Sequence, residues 1–147
     1  MKVLLLILLC LTLSLTGRAE VEELMGIFPD MVAIQWHGNS GAGCPDVIIG
    51  NTNGNYTQAP GGPVETLAVW VEALDGGTVR ACSPRPTTCN LCGTGNMQGR
   101  FTNGSGNPCT RSASSPYERF IHVEQSLRFR RSYQARVDAL YFTFPVE

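Results

Sequence analysis

His37 and His122 are the only histidines in the chain. Taken with a carboxylate from Glu72 or Glu124 and the cation of Arg128, they supply the parts of an RNA-cleaving site: one base, one acid and one phosphate contact. Nothing in the residues flanking either histidine marks it, and two is an ordinary count for 147 residues. Small exported hydrolysis of the ribonuclease type therefore stands as an alternative reading, behind a non-catalytic one. No Gly-x-Ser-x-Gly, His-Glu-x-x-His, P-loop or calcium-loop pattern occurs. Gly93-Thr-Gly95 could open a dinucleotide fingerprint, but Gln98 stands where its third glycine belongs.

Cysteine is the other chemistry-bearing residue. Cys10 falls in the N-terminal apolar run, leaving Cys44, Cys82, Cys89, Cys92 and Cys109, an odd number that implies a free thiol or a bridge to a second chain. Cys89-x-x-Cys92 admits three readings: structural disulfides, a zinc site completed by Cys82 or Cys109, or a redox pair. There is no second close pair for zinc. Pro84, Pro86 and glycines occupy the positions where a redox pair would have a strand and a helix. Structural disulfides are the expectation, with no metal and no cofactor, and the spacing leaves the pairing open.

Three further groups could bind a ligand. Arg128, Arg130 and Arg136 share one parity, so on a strand they would form an outward anion-binding face. The bland reading is a solvated surface balanced by Glu118, Glu124 and Asp138. Trp36, at the end of a strand-forming run, and Tyr56, with Trp70 and Tyr117 behind them, could stack on sugar rings. Asn55-Tyr-Thr57 and Asn103-Gly-Ser105 are glycosylation sequons in polar, glycine-containing turns.

The elements that would position these residues read as strands. Met31–His37 and Asp46–Ile49 are rich in strand formers and end in glycine-containing turns. In Val64–Leu74, Leu67, Val69 and Val71 alternate with Ala68 and Trp70, which predicts a central strand. Asp75-Gly-Gly77 then turns Thr78–Cys82 back antiparallel. From Ile121 to Phe129 apolar residues dominate the odd positions and polar ones the even. The odd set continues through Tyr133, Ala135, Val137, Ala139 and Tyr141. A helix over 129–144 is the rival, since Phe129, Tyr133, Val137, Leu140 and Phe144 also fit a 3.6-residue period. The sum is an all-β fold, an antiparallel β-sandwich or jelly-roll-like single domain, disulfide-stapled, with little helix beyond the leader.

Residues 1–19 have one lysine, a short apolar core and a small-residue exit, the pattern of a secretory signal peptide cleaved after Ala19. Residues 20–147 would be a single secreted domain. Lys2, the only lysine, leaves with the leader, so Schiff-base and lysine-base chemistry are excluded. Nine arginines then face twelve acidic residues, a net charge of −3, which argues against a general nucleic-acid binder. No later run is long enough to span a membrane. The leading expectation is a secreted, non-catalytic extracellular binding or matrix protein whose partner is a protein or glycan. A covalent homodimer through the odd cysteine fits that reading, and a lectin-like glycan module is its nearest alternative.

Overall fold

The computed structural model describes residues 32–41, 43–53, 60–82, 89, 91–113 and 119–145. The leader, Asn55, Tyr56 and Tyr117 lie outside the described residues. The fold is not all-β. A four-stranded mixed sheet carries helices, in the order β1 (Ala33–Gly38), β2 (Val47–Gly50), α1 (Pro63–Asp75), β3 (Val79–Ala81), α2 (Met97–Thr102), β4 (Phe120–Gln125), a 3-10 turn (Phe129–Arg131) and α3 (Tyr133–Thr143). Across the sheet the strands run β1-β4-β2-β3. β1 pairs parallel with β4, β2 parallel with β3, and β2 antiparallel with β4.

The expected central strand over Val64–Leu74 is the helix α1. Pro63 stands in its first turn, where a missing N–H costs nothing. Glu65 accepts from the Gly61 N–H at 2.6 Å, and Gly76 ends the helix in the left-handed conformation with φ 63°. Val64, Leu67, Ala68 and Val71 form the buried stripe, a spacing of 3-1-3 that only a helix places on one face. Val69, which the alternating pattern put beside Leu67, is 58% exposed. With a helix between them, β2 and β3 form a parallel crossover unit, and Thr78–Cys82 does not return antiparallel.

A second correction concerns the C-terminal third. β4 is a strand, as its alternation predicts, but the pattern stops at Gln125. Residues 133–143 form α3, which buries Arg136, Ala139 and Leu140 and exposes Tyr133 and Tyr141. The apolar residues there satisfy both periods, and packing against α1 selects the helical one.

The two faces of the sheet differ in kind. Ile34, Val47, Ile49, Ile121 and Val123 point toward α1 and α3, where they meet Val64, Leu67, Val71, Phe129, Leu140 and Phe144. Burying a side chain of this size contributes about 1.5–3 kcal/mol each. The opposite face carries Ile48 beneath a small cluster of Cys82, Cys89 and Cys92. Beside that cluster the same face carries Gln35, His37, His122 and Glu124, because residues two apart on a strand share a face. β4 is covered on both sides, so the face expected in water is closed: His122 is only 5% exposed.

The disulfides are Cys44–Cys89 and Cys82–Cys92, and Cys109 is free and exposed. No helix among the described residues is long and apolar enough to cross a membrane.

Candidate acid–base site

The parallel register of β1 and β4 brings the two histidines together. Gln35 lies opposite His122 and His37 opposite Glu124. The imidazole centroids of His37 and His122 are 4.8 Å apart, with the rings tilted by 36°. His122 Nε2 lies 3.1 Å from Glu124 Oε1, a carboxylate–imidazole pair that sits largely out of solvent. His37 is half-buried, and among the described residues its Nε2 is buried with no hydrogen-bond partner.

On the other side of β4, Gly50 of β2 lies opposite His122. Its lack of a side chain lets the disulfide segment sit down on the sheet: a Cβ at Gly50 would come within 2.8 Å of the Cys92 carbonyl oxygen and 3.1 Å of Cys82 Sγ. The next residue, Gly93, has φ 69° and lies directly against the His122 ring, where a Cβ would fall 2.6 Å from Cγ. Both the backbone conformation and the close approach require glycine. The Gly93 carbonyl accepts from the Asn96 N–H at 2.8 Å. Asn96 in turn caps α2, its Oδ1 accepting from the Gly99 N–H at 3.0 Å. The Asn96 amide donates to Gln35 Oε1 and lies 3.5 Å from His122 Nδ1.

Burial holds the pKa of His37 below its ordinary 6.5; the neighbouring His122 lowers it further, and Glu124 pulls it back in part. His37 is therefore a neutral imidazole near pH 7, the form that accepts a proton. The folded state binds fewer protons than the unfolded chain between the lowered value and 6.5, so this contribution to stability is present above 6.5. It is lost as the pH falls through the folded pKa of His37. The urea midpoint of the wild type is expected to drop between about pH 7 and about pH 5, and His37→Gln should lessen that drop. An equal drop in both proteins would assign the pH dependence to other groups.

The other anticipated site residues are scattered. Glu72 is exposed on α1, away from the histidines. Arg136, expected on an outward anion face, is buried: it pairs with Asp75, donates to Gln125 Oε1 at 3.3 Å and to the Phe129 carbonyl at 2.8 Å, and lies over the Phe129 ring. Arg128 and Arg130 are exposed, and the Arg130 guanidinium packs on Gly38, the residue after His37. Trp36 is half-buried against the apolar core, and Trp70 stacks on Phe142 at 4.7 Å. Asn103 is fully buried. Its Nδ2, the atom a glycan would occupy, donates to the Asn51 carbonyl and to Thr52 Oγ1 at 3.1 Å, so a glycan there is incompatible with this fold. Gln35, Gly50 and Asn96 carry no functional signal in the sequence, and Gly93 stands there only in an incomplete dinucleotide fingerprint. Gln35 alone has a positional signal, two residues before His37 on a strand.

Compared with protein-family models, with curated proteins and with solved structures, the chain matches none of them. Among the described residues no group of three or more histidine, cysteine or acidic side chains is placed to hold a metal ion.

Proposed function

We propose that the chain is a small acid–base hydrolase acting outside the cell on phosphodiesters, RNA being the substrate class its groups suit. The observation that carries this reading is the packing of the only two histidines against each other and against Glu124. Export is supported by the leader pattern of residues 1–19 and by two disulfides, which persist in oxidising compartments.

In this reading neutral His37 takes the proton of a ribose 2′-hydroxyl. The 2′ oxygen bonds to phosphorus as the bond from phosphorus to the 5′ oxygen breaks, and the His122–Glu124 pair returns a proton to the departing oxygen. The products are a 2′,3′-cyclic phosphate and a 5′-hydroxyl. Glu124 holds the His122 ring through Nε2, and the proton these two groups share is the one the pair gives up. The net negative charge argues against tight general binding of nucleic acid, which a turnover enzyme does not need.

The test is cleavage of single-stranded RNA by protein purified from animal-cell medium. The cyclic phosphate should appear, and His37→Ala or Glu124→Gln should each slow cleavage by about 10²–10⁴-fold. No cleavage by the wild type, or cleavage equal in the variants, overturns the reading.

One observation favours the non-catalytic binding reading instead. Val69, Leu74, Tyr133, Tyr141 and Phe142, on α1 and α3, are large apolar side chains left exposed, groups that a partner would cover. Cys109, free and exposed, could join two chains. A wild type inert toward RNA would leave this reading in place.

A further inference from the structure

We infer that Asn96 is a positioning residue that sets the tautomer of His122, directing its N–H toward Glu124. The role rests on the acid–base reading of the site but concerns the ring itself. An asparagine amide has one accepting and one donating end, and its hydrogen-bond partners fix which way it points. Here the cap decides: Oδ1 accepts from the Gly99 N–H at 3.0 Å, so the end turned toward the sheet is the NH2. That NH2 has two hydrogens. One goes to Gln35 Oε1, and the other faces His122 Nδ1 at 3.5 Å.

A group that only donates needs a lone pair opposite it. Nδ1 must therefore be unprotonated in the neutral ring, and the single proton sits on Nε2, 3.1 Å from Glu124 Oε1. Neither helix nor sheet alone imposes this. Asn96 is held from three directions, by its cap on α2, by its N–H on the Gly93 carbonyl and by Gln35. Gly93 meanwhile presses the ring from the side. The charged or titratable groups that face His122 among the described residues are Glu124 on its own strand and His37 on β1. From β2 it meets Gly50, which carries no side chain.

The experiment is long-range proton–nitrogen correlation of the imidazole rings in uniformly labelled, disulfide-intact protein, in mildly alkaline solution. The wild type should show His122 as the Nε2–H tautomer. Asn96→Ser keeps an oxygen that caps α2 but removes the donor, and should give a mixture of tautomers. Asn96→Asp also keeps the cap and turns an acceptor toward Nδ1. Facing an acceptor, Nδ1 should then carry a proton, and the Nε2–H tautomer should lose its dominance.

A His122 that is Nδ1–H in the wild type, or that keeps one tautomer in Asn96→Ser, overturns the inference. Preserved amide dispersion in both variants excludes misfolding as the cause. The ring readout does not depend on turnover. An Nε2–H tautomer in a protein inert toward RNA defeats the hydrolase reading and leaves Asn96 in its role. An active enzyme whose His122 ignores Asn96 defeats only the role.

Discussion

Arg136→Ala is expected to lower the unfolding free energy by about 3–5 kcal/mol, the cost of leaving one partner of a buried ion pair alone. Arg136 is 5% exposed and ties together the C-terminal end of α1 through Asp75, the end of β4 through Gln125 and the 3-10 turn through the Phe129 carbonyl. Its guanidinium also lies 5.3 Å from the centroid of the Phe129 ring, which is buried and pressed against Gly77. Truncation would strand Asp75 and the amide of Gln125 as well as remove the packing. Arg136→Lys is not a rescue, because one ammonium cannot span three acceptors that a planar fork reaches together. The measurement is the urea midpoint of both variants under one redox condition. A loss below about 1 kcal/mol for Arg136→Ala would place the pair among ordinary surface bridges.

The disulfides should separate stability from site geometry. Cys44–Cys89 closes a loop of sequence separation 45, and removing it is expected to cost about 4 kcal/mol. Cys82–Cys92 spans a separation of only 10, for about 3 kcal/mol. The shorter bridge nonetheless matters more to the histidines, because it anchors Cys92, and with it Gly93, over Gly50 and against the His122 ring. The Cys44→Ala/Cys89→Ala protein should melt lower yet keep the imidazole signals of His122 near their wild-type positions. The Cys82→Ala/Cys92→Ala protein should melt less low, with those signals displaced. Unchanged His122 signals in the second protein would show that the sheet and Glu124 hold the ring without the loop.

These effects cluster where the chain alone was hardest to read. β1 and β2 are legible because β-branched and aromatic residues crowd there ahead of glycine-containing turns, and β4 because apolar and polar residues alternate along it. α1 reads as a strand by its apolar pattern although its boundaries carry helix signals, Pro63 at the start and Gly76 past the end. Apolar residues at nearly every position of Val64–Val71 satisfy a period of two as well as one of 3.6. Only burial on the sheet leaves Val69 outside and takes Val64, Leu67 and Val71 in. α3 repeats the lesson, with Arg136 adding a buried charge that no pattern anticipates.

The chemistry divides the same way. Residue types alone named His37 and His122, with Glu72 or Glu124 and with Arg128, as a set that could move protons; of these only Glu124 joins the two histidines in the fold. The odd cysteine count implied one thiol outside any internal bridge. Cys109 is that thiol. Alternation along β1 and β4 was enough to put Gln35 with His37 and His122 with Glu124 on common faces. Which strands would lie side by side is a long-range matter, set by how the apolar face is covered and not by any local preference. The parallel pairing of β1 with β4 made neighbours of two histidines far apart in the chain, and the seating of Gly93 and Asn96 on His122 followed from one disulfide and one missing side chain at Gly50.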